Sequence, residues 1–166
     1  MSLDLHSELT RPVYATGNDF EATHSPLYHP KFLHAATPAL RAIFADAGRV
    51  TPPIEPLLHH IAENLFDDAL NVNQLKRACG VRNNSMMTVF RYEVGETPAR
   101  YIERHRIETA ARLIDTTQVP VSVIADMVGY ADYSTFARAF RRRYEIAPTY
   151  YRERQRQATT DTTSQQ

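Results

Sequence analysis

The sequence predicts an all-α fold in which two helix-turn-helix units are joined by a long central helix. From Ile54 onward, apolar residues recur at the three- and four-residue spacing of amphipathic helices. Two segments also repeat one pattern, a helix, a glycine turn and a helix with phenylalanine on its inner face. The first copy has Gly80 and Phe90, and the second has Gly129, Phe136 and Phe140.

Length and composition indicate a globular protein of one domain, or of one small domain with an appendage. The chain has 166 residues and a single cysteine, Cys79, which cannot form an intramolecular disulfide and is expected to be a small core residue. No apolar run approaches the roughly 18–20 residues of a membrane span, and the first residues lack a signal-peptide pattern. The expected location is therefore the cytoplasm.

Charge is distributed unevenly, although the formal net charge is zero. Residues 76–156 contain 15 Arg and Lys against 9 Asp and Glu, whereas residues 1–75 contain 4 against 9. A basic segment dominated by arginine favours a polyanionic partner, since the guanidinium group matches phosphate oxygens and guanine edges. The alternative is a helical surface of ion pairs, for which Glu103 and Glu108 give some support.

Residues 1–52 form a short N-terminal segment with one predicted helix. The pattern of Leu40, Ile43 and Phe44 indicates a helix over 38–47, with Thr37 as its cap. This helix either packs on the following domain, which we favour, or mediates association. Much of 1–37 is expected to be extended or poorly ordered unless it packs onto something.

Three histidines in this segment do not predict a metal site. His24, His29 and His34 recur at five-residue intervals, but Pro26 and Pro30 interrupt any helix between them. The usual zinc-ligand spacings are also absent. Loop histidines without a metal are the expected reading.

The first repeat follows a helix marked by Leu57, Leu58, Ile61 and Leu65. Asn71 or Asn73 is expected to cap the next helix, and Asn83 or Asn84 to begin the one after it. Thr97 and Pro98 then open the longest predicted helix, over about 98–115. At about 24 Å, this helix is long enough to separate two small bundles.

The second repeat, over 119–150, has the clearest pattern in the chain. Pro120 suits the first turn of a helix, Gly129 suits a left-handed helix end, and Asp132 or Ser134 can cap the helix that follows. That helix has an apolar inner face and an outer face that carries Ser134, Arg138, Arg141 and Arg142. A helix-turn-helix is predicted; the alternative is an ordinary amphipathic pair with a solvated arginine face.

A last short helix is expected from Pro148, followed by a polar, disordered tail over 154–166.

Part of this sequence resembles a known protein family. The segment I-A-D-M-V-G-Y-A-D-Y-S-T-F-A-R-A-F-R-R-R-Y-E-I-A-P-T-Y-Y-R (124–152) closely resembles the signature of the AraC/XylS transcription regulators, and 96–114 resembles their linker. The resemblance covers about 100 residues, from about Ile54 to Glu153. It implies a DNA-binding domain over 53–153 of about seven helices, whose two units each insert a second helix into successive major-groove segments.

The resemblance also implies which residues face DNA. The positions expected to contact bases are Asn84, Met87, Thr88, Tyr133, Ser134, Ala137 and Arg138. Arginine can pair with guanine, asparagine with adenine, and an apolar side chain can touch a thymine methyl group. The positions expected to contact phosphates are Arg82, Arg100, Arg104, Arg141 and Arg142.

Several positions depart from the family pattern. Lys76 stands where the family has a small alanine, whereas Ala125 keeps that residue in the second unit. His105 occupies a normally apolar position, and Glu145 replaces a glycine before the closing I-A-P. Because Lys76 is expected to loosen the first unit, we predict that the second unit contributes more to DNA affinity.

The 52 residues before the domain are too few for the family's ligand-sensing β-barrel. Three interpretations stay open: a short family member without a sensor, a fragment of a longer regulator, or a remnant helix that mediates association.

The predicted function is sequence-specific binding of double-stranded DNA, with RNA polymerase as a further partner and a homodimer through the N-terminal segment as an option. No catalytic constellation, cofactor motif or metal site is recognised, so an enzyme is not expected. The alternative is a helical interaction module in which DNA binding is weakened and regulation passes through a protein partner.

Overall fold

The computed structural model describes residues 30–82 and 84–163, and these form eight helices and no strand. The helices are α1 (Pro30–Ala47), α2 (Glu55–Asn64), α3 (Val72–Ala78), α4 (Ser85–Val94), α5 (Pro98–Thr116), α6 (Val121–Met127), α7 (Tyr133–Tyr144) and α8 (Pro148–Thr163). The predicted all-α class is confirmed. None of these described helices combines the length and the apolarity that crossing a bilayer requires.

The central helix α5 lies between two hydrophobic cores. The first core contains Leu75 of α3, Phe90 of α4 and Tyr101 from the beginning of α5. The second contains Ile114 from the end of α5, together with the inner residues of α6 and α7. Thr97 caps α5 by accepting a hydrogen bond from the Arg100 N–H, as the sequence predicts. One stiff rod thus connects the two units.

Residues 30–37, which lie in the segment expected to be largely extended or poorly ordered, belong to helix α1. The chain is already helical at Pro30, and the helix continues through Pro38, so Thr37 is not a cap. Its hydroxyl instead donates to the Leu33 carbonyl, 2.7 Å away within the helix. Pro38 does not end the helix, because burial of the inner face of α1 against other helices outweighs the cost of an internal proline. The buried residues of this face are Phe32, Ala35, Ala36, Ala39, Ile43 and Ala47.

The same helix joins the two cores. Phe32 packs in the second core and Ile43 in the first, while α1 contacts both α2 and α5. Ile43 is fully buried within the chain, so the packing alternative is the one that the structure shows for this face. His24 and His29 lie outside the described residues.

The last helix also differs from expectation, because α8 continues to Thr163 where a disordered tail was predicted from residue 154. Its beginning is held by tertiary contacts: the Tyr151 ring packs against Phe140 and Tyr144, and Arg152 donates to the Val119 carbonyl at 2.6 Å. Residues 153–158 favour helix by intrinsic propensity, since they are Glu, Arg, Gln and Ala, whereas the Thr and Asp residues of 159–163 do not.

Candidate nucleic-acid interface

The first helix-turn-helix unit consists of α3, the turn at Gly80 and α4. Asn71 caps α3 by accepting hydrogen bonds from Asn73 and Gln74 N–H groups, both at 3.0 Å. Gly80 adopts a left-handed conformation, and the Val81 N–H closes the turn onto the Lys76 carbonyl at 2.8 Å. These contacts begin and end α3, as the sequence predicts.

The predicted base-contacting residues of α4 are not equally available. Asn84 and Thr88 are exposed, whereas Met87 is half-buried and packs against the first core. Asn84 precedes α4 in a helical backbone conformation and makes no side-chain cap. Its carbonyl oxygen Oδ1 instead accepts a hydrogen bond from Nζ of Lys76 at 3.0 Å.

The second unit consists of α6, the turn at Gly129 and α7. Gly129 has a φ of +84°, and a Cβ there would lie 3.0 Å from the Phe66 backbone and from the Arg106 guanidinium. A side chain at this position is therefore disfavoured both by the positive φ and by the lack of space. The turn at Gly129 thus packs closely against Phe66 and Arg106.

Asp132 caps α7, as one of the two sequence alternatives proposed. Its carboxylate accepts hydrogen bonds from the backbone N–H groups of Ser134 at 3.3 Å and Thr135 at 2.7 Å. Hydrogen bonds from the Thr135 hydroxyl and N–H hold the pKa of Asp132 below its ordinary value. A charged carboxylate therefore stabilises the beginning of this helix.

The outer face of α7 has the predicted polarity. Ser134 and Arg138 are exposed, Tyr133 is 40% exposed, and Ala137 is half-buried between them. The Arg138 guanidinium donates to the Thr135 hydroxyl of its own helix, at 3.2 Å. The inner face consists of buried Phe136, Ala139 and Phe140. Arg138 thus extends into solvent beside the other predicted base contacts of α7.

The five arginines predicted to contact phosphates fall into two groups. Arg82, Arg100 and Arg141 are exposed, and within the described part of the chain none forms an ion pair. Arg104 pairs with Glu96 at 2.7 Å and Arg142 with Glu103 at 2.6 Å. The last two are already engaged with carboxylates, in line with the ion-pair alternative that the sequence left open.

Sequence reasoning missed Arg106, a buried arginine of α5 that is 7% exposed. Its guanidinium donates to the carbonyls of Leu65 at 2.6 Å, Asp67 at 2.6 Å and Gly129 at 3.0 Å. Burial lowers the pKa of this group. The available signal was its place on the apolar stripe of α5, four residues after Ile102 and four before Ala110.

Arg106 therefore connects the segment before the first unit to the turn of the second. The carbonyls of Leu65, Asp67 and, at 3.4 Å, Leu70 lie between α2 and α3, and that of Gly129 lies between α6 and α7. Hydrogen bonds from one rigid guanidinium to both places hold the two units in a common frame.

Several known proteins resemble this chain. Residues 75–154 match the family model of a helix-turn-helix domain. The regulatory protein SoxS of Salmonella typhimurium is 33% identical over 101 residues, which cover 61% of this chain and 94% of that protein. The transcriptional regulator AlkR of Acinetobacter baylyi is 35% identical over 82 residues, 49% of this chain and 27% of AlkR.

Other relatives are longer than this chain. The transcriptional activator RclR of Escherichia coli is 37% identical over 107 residues, which cover 63% of this chain and 38% of RclR. The chain thus spans less than half the length of AlkR and RclR.

Solved structures support the fold. The C-terminal domain of AraT, a response regulator from Geobacillus stearothermophilus, matches 63% of this chain and 87% of that domain, with a TM-score of 0.59 and 24% identity. The C-terminal domain of the response regulator yesN from Fusobacterium nucleatum matches 61% of this chain with a TM-score of 0.57 and 25% identity. Both likenesses show that about three fifths of this chain shares the fold of those domains.

Proposed function

Because the chain belongs to the AraC/XylS family of helix-turn-helix transcriptional regulators, we propose that it binds double-stranded DNA at specific sequences and regulates transcription there. In this proposal α4 and α7 are the recognition helices, and each enters one of two successive major-groove segments. The protein would act without catalysis, by occupying a promoter or by contacting RNA polymerase, in the cytoplasm.

The observation that carries the proposal is the matched polarity of α4 and α7. Each helix directs phenylalanine into a core and leaves polar side chains exposed near its beginning. Asn84 and Thr88 occupy this position on α4, and Ser134 and Arg138 occupy it on α7. Side chains at the beginning of a recognition helix are the ones that reach base edges.

The proposed base contacts follow from the chemistry of the exposed groups. Arg138 can donate two hydrogen bonds to one guanine, and Tyr133, Ser134 and Thr88 can contact neighbouring edges. Met87 and Ala137 are half-buried, so they would touch only a group that projects into the groove, such as a thymine methyl.

Phosphate contacts are assigned first to Arg82, Arg100 and Arg141, because their guanidinium groups are exposed and without carboxylate partners in the described chain. Arg104 and Arg142 would contact phosphates only after leaving Glu96 and Glu103. Because each of these two arginines would lose an ion pair on binding a phosphate, its net contribution to DNA affinity would be smaller.

The test is a selection of bound fragments from random duplex DNA, followed by a salt titration on the selected site. A single chain that uses both units is expected to enrich an asymmetric site of about two helical turns, whereas an inverted repeat indicates a homodimer. Arg100→Ala should reduce the slope of log affinity against log salt by about 0.9. The matched control is Arg41→Ala, which removes an exposed arginine of α1 and should leave the slope unchanged.

Failure to enrich any sequence from the library would contradict the proposal. The favoured function would then be the alternative one, a helical module that regulates through a protein partner.

A further inference from the structure

The hydrogen bond between Lys76 and Asn84 connects the two helices of the first unit at the beginning of its recognition helix. Lys76 lies in α3 and Asn84 immediately before α4, and Nζ lies 3.0 Å from Oδ1. A lysine ammonium has three donors and no acceptor, so the asparagine atom that faces it must be the carbonyl oxygen. The orientation of the Asn84 amide is therefore fixed by chemistry.

This orientation changes what Asn84 can recognise. An asparagine binds adenine through two hydrogen bonds: its NH₂ group donates to N7, and its carbonyl oxygen accepts from the N6 amino group. In this protein the carbonyl oxygen already accepts from Lys76, so one of its two lone pairs is occupied and an ammonium charge lies 3.0 Å away. The pair therefore presents mainly donors, namely the Asn84 NH₂ and the remaining ammonium protons, with a single lone pair of Oδ1 left as an acceptor.

We propose that Lys76 is a specificity-determining residue, and that the Lys76–Asn84 pair makes the first recognition helix select guanine where Asn84 alone would select adenine. The proposal rests on the DNA-binding function proposed above. Guanine presents two acceptors in the major groove, N7 and O6, which match a surface of donors. Adenine presents one acceptor and one donor, and its amino group would meet the ammonium of Lys76 donor against donor.

The second unit provides an internal comparison. Ala125 precedes Gly129 by four residues, just as Lys76 precedes Gly80. Ala125 is fully buried and carries no group that could reach α7. Lys76 is only half-buried, and its ammonium lies at the surface beside the exposed Asn84. The extra donor is thus specific to the first unit.

The experiment selects bound fragments from a random duplex library with the full chain and its variants. Asn84→Ala identifies the base pair that this residue contacts, as the position whose preference disappears. At that position the unsubstituted protein is expected to enrich guanine. Lys76→Met keeps the apolar stem of the side chain but removes the ammonium, and it should shift the guanine-to-adenine ratio by roughly tenfold toward adenine.

Two further variants separate specificity from general effects. Lys76→Arg keeps a donor toward Oδ1 and is expected to keep the guanine preference. Arg77→Ala removes an adjacent exposed charge of α3 without touching the pair, so it should leave the base preference unchanged. Thermal unfolding of each variant confirms that it is folded before the selection is compared.

The outcomes are distinguishable. If the unsubstituted protein enriches a sequence but Lys76→Met leaves the ratio at that position unchanged, the inference is wrong and the proposed function stands. A uniform loss of affinity for all sequences, with a salt slope reduced by about 0.9, would make Lys76 a phosphate contact and also overturn the inference. If no sequence is enriched at all, the proposed function fails and the inference fails with it.

Discussion

The two helix-turn-helix units share an order of elements but differ in how much of each is buried. In the first unit, α3 buries only Leu75 and α4 only Phe90. In the second unit, the buried residues are Val121, Ile124, Ala125 and Met127 of α6 and Phe136, Ala139 and Phe140 of α7. Hydrophobic burial therefore holds the second unit more firmly than the first.

Each unit has one side-chain cap, but the units differ in one further polar contact and in the end of the recognition helix. The first unit has the Asn71 cap, the Lys76–Asn84 hydrogen bond and a glycine at the end of α4, Gly95, with a φ of 90°. In the second unit α6 begins after Pro120 without a side-chain cap, and α7 ends at Glu145, a non-glycine residue with a φ of 65°. The end of α7 at Glu145 is therefore the more strained of the two recognition-helix ends.

The largest expected effect concerns Arg106, which serves both units. Arg106→Met should lower the free energy of unfolding by about 3–5 kcal/mol, because it leaves several buried carbonyls without a donor. Urea denaturation measures this loss. Arg100→Met, an exposed position on the same helix, is the matched control and should change stability by less than about 0.5 kcal/mol. A similar effect for both variants would show that Arg106 does not join the units.

The second-largest expected effect is a pH dependence of stability, which arises from His105 beside Tyr101 of the first core. His105 is 2% exposed, packs edge-on against Tyr101, and has no hydrogen-bond partner for either ring nitrogen among the described residues. Burial, with a further contribution from Arg104, lowers the pKa of His105 to about 4. The unfolded value is near 6.5, so between these two values the unfolded chain binds the additional proton.

Stability should therefore fall as the pH falls through this window, by about 2 kcal/mol between pH 7.5 and pH 5. His105→Phe keeps an aromatic ring beside Tyr101 and removes the titrating group. The difference in unfolding free energy between the two proteins, measured by urea denaturation at both pH values, isolates the contribution of His105. Equal pH dependence in the two proteins would contradict this account.

A smaller effect is expected at the cap of the first unit. Asn71→Ala removes the acceptor for two backbone N–H groups at the beginning of α3 and should cost about 1 kcal/mol of unfolding free energy. Asn73→Ala, two residues later and also exposed, tests the same substitution without the cap. Asn71→Ala is expected to lose clearly more stability than Asn73→Ala. Equal losses would contradict the role of the Asn71 side chain as the cap of α3.

The smallest effect is a gain in the second unit. Glu145 adopts a left-handed conformation that disfavours side chains with a Cβ, whereas Gly95 occupies the corresponding helix end in the first unit. Glu145→Gly should therefore raise the free energy of unfolding by roughly 0.5–1 kcal/mol. A decrease in thermal stability would show that the Glu145 side chain makes a favourable contribution that outweighs its backbone strain.

The second unit and α5 could be predicted from sequence because their signals are local. The spacing of apolar residues, Thr97 and Pro98 at the start of α5, Asp132 before α7 and Gly129 at the turn each act within a few residues. The first unit could be located in the same way, although Asn84 does not cap α4 as its residue type suggests.

The features that could not be predicted depend on residues far apart in the chain. Helix α1 passes through Pro38 because Phe32 and Ile43 are buried in two different cores. The partner of Arg142 is Glu103, 39 residues earlier, so the pattern of charges did not reveal it. The acceptors of Arg106 are likewise carbonyls brought together only by the fold.

The central claim is that both recognition helices contact one duplex and that the second contributes more affinity. Titration of a selected duplex with the Arg138→Ala and Asn84→Ala variants, at one fixed salt concentration, tests it most directly. Both should weaken binding, Arg138→Ala by roughly 1–3 kcal/mol and Asn84→Ala by less. An equal or larger loss for Asn84→Ala would contradict the claim.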